Sequence, residues 1–324
     1  MSTPFRVFPI LAVGLLCFSF SPILVRFADE APGLAVAVWR TLFAVVLLAP
    51  IALPKIGSEV RQFSRKEWLL IISAGVLLGL HFVTWIESLY HTTVASASVL
   101  VTTSPIFIAL LGFIFLHERL KSATIFGIGM GVLGAVLIGW GDAQGPAVAS
   151  NPLVGNSLAL GASFVFAIYL LIGRVVRQRY SWLAYVFPLY VVVAMTALFT
   201  ALLLDTPLWG YSWPFFGLCV LMALGPSIAG HGSFNYAVRY FPAALLGLLG
   251  LMEPVLASLA AYAIFEEVPT MVAIGGMILV LIGVTVAIWP RKQRTNGHII
   301  RHEEGESDLQ EAPKTAAAHA ENSP

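Results

Sequence analysis

The chain has 324 residues, of which 58% are hydrophobic and only 11% are charged, and its formal net charge is +1. Soluble domains have about 25% charged residues, so this composition excludes an ordinary water-exposed surface and is typical of a protein embedded in a bilayer. The small net charge gives no indication of a nucleic-acid partner.

Ten apolar runs are long enough to cross a bilayer as helices, which takes about 20 residues each. They predict spans near 8–27, 34–53, 68–89, 93–116, 123–140, 154–173, 182–204, 214–237, 243–265 and 270–289. Breakers or charges separate them, as in the linkers Pro54 to Lys66 and Asp142 to Pro152. Apolar sequence continues past Ser21-Pro22 without a clear cleavage site, which favours a span over a signal peptide. The predicted fold class is an all-α polytopic membrane protein.

The positions of lysine and arginine predict the orientation of the chain. With a cytoplasmic N-terminus, 16 of the 18 Lys and Arg residues fall on the cytoplasmic side, whereas Arg26 falls outside and Arg40 lies within the second run. We therefore expect an integral protein of a bacterial inner membrane with both termini in the cytoplasm. Its polar C-terminal residues, which lack aromatics, predict a disordered tail.

An internal repeat relates the two halves of the sequence. A shift of 149 residues, which takes Pro105 to Pro254, aligns the fourth and fifth runs with the ninth and tenth without gaps. Other aligned pairs are Glu118 with Glu267, Gly127 with Gly276, Gly134 with Gly283 and Trp140 with Trp289. Each half has five spans, an odd number, so the two copies are predicted to cross the membrane in opposite directions. The predicted organisation is a first repeat at 1–140, an outer loop at 141–153, a second repeat at 154–290 and the tail at 291–324.

Several of these features together resemble the EamA-like family of the drug/metabolite transporter superfamily. They are Trp39-Arg40, Ala95-Ser96-Ala97-Ser98 before Ser104-Pro105, Glu118 before a Gly-rich helix, and Glu253-Pro254 before Glu267. The resemblance covers about residues 5–290. It implies ten helices, cytoplasmic termini and the export or exchange of small metabolites, without indicating one substrate.

Ionisable residues within hydrocarbon are candidate site residues, because each costs about 2.5–3.5 kcal/mol to insert. Glu253 lies near the middle of the ninth run, where it is predicted to bind an amine or transfer a proton. A protonated or paired structural residue is the alternative. Its counterpart in the repeat, Ser104, is predicted to line a cavity or to bond to its own helix.

Arg40 lies about 10 Å into the second run. It is predicted to bind a carboxylate or phosphate, or to form an outer gate with Glu87, and structural pairing is equally well supported. Glu87 lies near the end of the third run, where reaching to the interface is the simpler explanation. In the fifth run, Gly127-x-x-x-Gly131 permits close helix contact, either within the chain or in a homodimer.

Polar and aromatic residues at helical spacing predict a cavity between the halves, although hydrogen-bonded packing explains each one as well. They are His81, Trp85 and Ser88 in the third run, Tyr169 in the sixth, and His231, Asn235 and Tyr236 in the eighth. The histidines are also candidates for proton relay.

These observations predict a secondary transporter for a small amphipathic metabolite. An amino acid is the first candidate, because Arg40, Glu253 and the aromatic residues suit a zwitterion. Nucleotide sugars or lipophilic cations are the alternative substrates, and a membrane enzyme or receptor is the alternative class. No Walker-type loop or hydrolase motif occurs in the sequence, so neither ATP hydrolysis nor catalysis is expected. The expected partners are a small-molecule solute and the bilayer, with protons and a second subunit left open and no cofactor or metal.

Overall fold

A computed structural model describes residues 4–92, 94–142, 151–265 and 268–288, which belong to one compact unit. Its helices are α1 Val7–Ser19, α2 Ser21–Phe27, α3 Gly33–Val60, α4 Arg65–His91, α5 Val94–Val101, α6 Ser104–Leu116, α7 Ser122–Asp142, α8 Pro152–Val176, α9 Trp182–Leu203, α10 Trp213–Met222, a π-helical segment Ala223–His231, α11 Gly232–Ala237, α12 Ala243–Gly250, α13 Met252–Phe265 and α14 Met271–Ile288. Glu267, Trp289, most of the predicted outer loop and the predicted tail lie outside the described residues.

The predicted fold class is confirmed. Within the described ranges, eight helical stretches are long and apolar enough to span a membrane, and two shorter apolar helices, Ser122–Ile138 and Met271–Ala287, correspond to the fifth and tenth predicted spans. The protein is thus a polytopic membrane protein of about ten helices. Four spans are interrupted: the first between α1 and α2, the fourth between α5 and α6, the eighth by the π segment, and the ninth between α12 and α13.

The second span is longer than the sequence pattern indicates. The predicted linker from Pro54 to Lys66 is helical as far as Val60, because buried residues continue at one per turn through Leu48, Ala52 and Ile56. Pro50 and Pro54 point to the exposed side of α3. A proline there removes one helix hydrogen bond without disturbing the packed face, which is how membrane helices tolerate it.

Glycine contacts between α7 and α14 show that the two halves are inverted. A Cβ on Gly127 would lie 2.5 Å from the carbonyl oxygen of Gly283, and one on Gly134 would lie 2.6 Å from that of Gly276. Residue numbers rise along α7 while they fall along α14, so the two helices are antiparallel. Because the sequence repeat equates Gly127 with Gly276 and Gly134 with Gly283, each contact is the image of the other.

Other helix contacts also occur in pairs, in which each contact has a counterpart with the roles of the two halves reversed. The third span packs on the sixth, and correspondingly the eighth packs on the first. The third span also contacts the seventh, as the eighth contacts the second. This pattern is expected when two antiparallel copies of one unit meet around a pseudo-two-fold axis.

The two ends of the bundle differ in charge and are named here for later use. The "basic end" is where α3, α6 and α8 end and α4 and α9 begin. Arg174 pairs there with Glu118 at 3.2 Å and Arg179 with Glu67 at 3.3 Å. At the "opposite end", Trp39 Nε1 donates to the Leu208 carbonyl at 2.8 Å, and Glu30 accepts hydrogen bonds from Ser212.

Candidate functional site

A cavity lies in the interior between the two halves. Its enclosed space is small, about 40 Å³, so its walls lie close together. The lining comes from both halves: Phe18, Ser21, Arg40, His81, Phe82, Trp85, Val101, Thr102 and Ser104 from the first, and Phe166, Pro226, His231, Phe234, Gly247, Gly250 and Glu253 from the second.

The interruptions of the spans coincide with this cavity. Prolines cause or follow each of them, at Pro22, Pro105, Pro226 and Pro254. Proline lacks an N–H and displaces the carbonyl one turn earlier, so main-chain groups are released where the helix breaks. Membrane transporters commonly bind their solutes at such discontinuous helices.

Arg40 is buried, with 1% of its surface exposed, and is held by hydroxyl groups. Its Nε and Nη2 atoms donate to Ser227 Oγ at 3.2 and 3.0 Å, and Nη1 lies 3.5 Å from Ser21 Oγ. The guanidinium carbon lies 4.5 Å from the centre of the Phe82 ring. Since a guanidinium has five N–H donors, these contacts leave donors for a bound anion.

Glu253 lies across the same cavity at the beginning of α13. Among the described residues, neither Glu253 nor Arg40 has an opposite charge within the 4.0 Å of an ion pair. A carboxyl group and a guanidinium therefore face one cavity without an ion pair between them. Such an arrangement suits the chemistry of a ligand that has both charges.

The histidines and phenylalanines form one wall of the cavity. The His231 ring centre lies 4.4 Å from Phe18, 4.7 Å from Phe82 and 5.8 Å from His81. His81 Nδ1 is 3.0 Å from the carbonyl oxygen of Ala162 on α8. The wall therefore offers aromatic faces to an apolar group and imidazole nitrogens to a polar one.

The structure brings together most of the residues selected from the sequence. Six of them line the cavity: Arg40, His81, Trp85, Ser104, His231 and Glu253. Tyr169 and Asn235 are fully buried next to it, towards the basic end, and Ser88 bonds to the carbonyl of Trp85 within its own helix. Their roles in binding stay predictions.

Two selected residues lie elsewhere. Glu87 Oε1 is 3.2 Å from His91 Nε2, one turn along α4, and is not in contact with Arg40, whose partners are the two serines. Tyr236 lines a separate apolar groove at the surface with Ile10 and Trp182. Gly127 and Gly131 pack on Gly283 and Leu251 of the same chain, so this face of α7 is occupied without a second subunit.

Ser227 is the principal site residue that sequence reasoning missed. It follows Pro226 in the π segment and is fully buried, with its hydroxyl on Arg40 and its carbonyl accepting from Tyr190 Oη at 2.6 Å. Wide helical turns are frequent at functional sites. The signal in the sequence was a proline within a glycine-rich stretch of the eighth run. The eighth run is the counterpart of the third, on which the sequence predicts a polar face.

Two arginines lie at the basic end of α8, beyond the cavity. Arg174 Nη1 donates to the carbonyls of Val238 and Arg239 in addition to its pair with Glu118. Arg177, just beyond α8, donates to the carbonyls of Asn235 and Tyr180. Burial and the neighbouring Arg239 lower the pKa of Arg177 to about 10, so it stays charged at neutral pH.

A helical bundle with a charged, aromatic-lined cavity at interrupted spans has the architecture of a membrane transporter. The family model of the EamA-like transporter family matches residues 8–140 and 153–289, nearly the whole described region. The chain therefore belongs to this family of the drug/metabolite transporter superfamily.

Individual relatives agree with this assignment. An uncharacterized transporter of Pseudomonas aeruginosa is 26% identical over 76% of this chain and 80% of its own length. Solute carrier family 35 member G1 of Mus musculus is 21% identical over 84% of this chain and 76% of its own length. A solved crystal structure superposes with a TM-score of 0.73 at 20% identity, over 88% of this chain and 97% of its own, which supports the fold alone.

Proposed function

We propose that this chain is a secondary transporter for a small zwitterionic metabolite, with an amino acid as the first candidate. The observation behind this is that Arg40 and Glu253 face one cavity without an ion-pair partner among the described residues. The free donors of Arg40 match a carboxylate, and Glu253 matches an ammonium group. The aromatic wall would contact the remaining apolar part of the solute.

Alternating access is the mechanism that the inverted repeat supports. In two antiparallel copies, one half can take the conformation open to one side while the other half takes its counterpart. Arg40 and Ser227 belong to different halves and meet at the cavity, so movement of one half against the other changes the binding site itself.

A proton or solute gradient is the proposed energy source, because the sequence has no Walker-type loop. Glu253 lies in the same cavity as His81 and His231, whose ring centres are 5.8 Å apart. These three groups are able to exchange a proton with a bound amine. We propose that protons are the coupling ion and that Glu253 is the group that binds them.

We further propose that the basic end faces the cytoplasm of a bacterial cell, that both termini lie there, and that the solute is exported. The bias of Lys and Arg supports the orientation, and the family resemblance supports the direction. The transporter names of the relatives favour transport over catalysis.

A lipophilic cation is the second candidate solute, because the cavity has several phenylalanines and one carboxylate. The charge of Arg40 opposes it, since a cation near Glu253 would also lie near the guanidinium. A nucleotide sugar is disfavoured because Arg40 is the only guanidinium that lines the cavity among the described residues.

The deciding experiment is flux into proteoliposomes of the purified chain, with a panel of labelled amino acids, tetraphenylphosphonium and a nucleotide sugar, each with and without a pH gradient. We expect saturable amino-acid flux that the gradient accelerates. Flux of tetraphenylphosphonium alone would favour the second candidate. Amino-acid flux that ignores the gradient would rule out proton coupling and retain the substrate class.

A further inference from the structure

Several fully buried polar groups next to the cavity have no hydrogen-bond partner among the described residues. They are Tyr169 Oη, Tyr185 Oη, His231 Nδ1, and both Nδ2 and Oδ1 of Asn235. Leaving such a group unpaired costs about 1–3 kcal/mol. Natural interiors rarely tolerate this, so such a cluster is expected to hold either ordered water or a bound solute.

These groups follow one another from the cavity towards the basic end. His231 borders the cavity, and the Tyr169 ring centre lies 6.5 Å from it. Asn235 is one turn beyond His231 on the same face, close to the Tyr169 hydroxyl but without a hydrogen bond of normal geometry. A Cβ on Gly173 would lie 3.0 Å from Tyr185 Oη and 3.6 Å from Asn235 Oδ1, so these two atoms flank one point.

A positive charge stands at the end of this line. Arg177 lies one turn beyond Gly173, and its Nε donates to the main-chain oxygen of Asn235 at 2.9 Å. The side chains of the line supply phenol and amide donors, and Arg177 supplies a favourable charge behind them. Hydrogen-bond donors backed by a guanidinium are the usual partners of a carboxylate.

Tyr190 shows that this fold is able to satisfy a buried tyrosine. It is as buried as Tyr169 and Tyr185, yet its hydroxyl donates to the carbonyl of Ser227 at 2.6 Å. Among the described residues, the buried hydroxyls without a partner are those of Tyr169 and Tyr185, and both lie between the cavity and Arg177.

We propose that Tyr169, Tyr185 and Asn235 form a second subsite on the basic side of the cavity, which binds the carboxylate of the solute on its way between that end and Arg40. This inference rests on the proposed function. Arg174 and Arg177 lie beyond the subsite, at the basic end of α8. The subsite opens when the basic end opens, and the carboxylate then passes from one set of donors to the next.

The first test is thiol labelling in a Cys17→Ala, Cys219→Ala background, with anionic and cationic methanethiosulfonate reagents added to either side of the membrane. We expect Asn235→Cys to react from the basic end, and faster with the anionic reagent. Val186→Cys, equally buried beside Tyr185 in the apolar core, is the control and should stay unlabelled. No reaction at Asn235→Cys from either side, or faster reaction with the cationic reagent, would overturn the proposal.

The second test compares Tyr169→Phe and Tyr185→Phe with Tyr190→Phe. The first two variants lose hydroxyls that have no partner, so their unfolding temperature in detergent should stay equal or rise. Their flux of labelled amino acid should fall about threefold to tenfold, which corresponds to the loss of one hydrogen bond to the solute. Tyr190→Phe should lower the unfolding temperature. A lower unfolding temperature in all three variants would mean that the Tyr169 and Tyr185 hydroxyls are structural, which would overturn the proposal. Thiol labelling does not depend on transport. A failure of the proposed function in the flux assay can therefore be distinguished from a failure of the proposed subsite in the labelling assay.

Discussion

Arg40 on the second span and Ser227 on the eighth are joined by two hydrogen bonds to one hydroxyl, at 3.2 and 3.0 Å. The two residues come from opposite halves, and both are buried. This contact is therefore a direct link between the halves at the cavity, and any movement of one half against the other has to change it.

Ser227→Ala should destabilise the folded protein. The change leaves two donors of a buried guanidinium without their acceptor, which costs about 1–3 kcal/mol. Thermal unfolding in detergent measures it. The matched control is Ser258→Ala, whose hydroxyl bonds only to the Pro254 carbonyl of its own helix. Equal unfolding temperatures for the two variants would mean that the Arg40 contact is not significant for stability.

Glu253→Gln should abolish the dependence of flux on a pH gradient while leaving expression and folding intact. Glutamine has the same shape but neither binds a proton at neutral pH nor pairs with an ammonium group. Proteoliposome flux with and without the gradient measures the effect. Glu87→Gln, at the half-exposed pair with His91, should leave the gradient dependence unchanged. Gradient-driven flux that survives in Glu253→Gln would assign coupling to another residue.

Arg174→Gln should make the basic end open more readily. It removes the pair with Glu118 and the hydrogen bonds to the carbonyls of Val238 and Arg239. A Ser104→Cys reporter in the cavity should then react faster with a thiol reagent added at the basic end. Arg179→Gln is the control, because Arg179 is 78% exposed and its pair with Glu67 contributes about 0–1 kcal/mol. An equal rate in both backgrounds would exclude Arg174 as a closing contact.

Gly127→Ala should destabilise the α7–α14 pair by about 1–3 kcal/mol, the usual cost of overpacking. The new methyl group would lie 2.5 Å from the Gly283 carbonyl oxygen, so the helix backbones have to separate. Gly129→Ala, two residues along the same helix, meets nothing within 4 Å and should be neutral or stabilising, as alanine favours helix. Unfolding temperatures in detergent compare the two. A neutral Gly127→Ala would mean that this close approach does not hold the halves together.

Particular residues show which features of the fold and the site can be predicted from the sequence alone. The 149-residue repeat predicts that Gly127 corresponds to Gly276 and Gly134 to Gly283. It does not predict that Gly127 packs on Gly283 and Gly134 on Gly276. Spacing along α4 predicts that His81 and Trp85 share a face. Tyr236 follows Asn235 directly on α11, so their side chains point about 100° apart, and Tyr236 lines a surface groove.

What the sequence determined by itself is the membrane class, the number of spans and their inverted repetition. These follow from local hydrophobicity and from register, which need no knowledge of neighbouring helices. Only the tertiary structure decided that Arg40 is held by Ser227 and not by Glu87. It also decided that the side chains of Tyr169, Tyr185 and Asn235 have no hydrogen-bond partner in the part of the chain that the structure describes. Hydrogen-bond partners depend on helix rotation, breaks and crossing, and these are set by packing between segments that lie far apart in the chain.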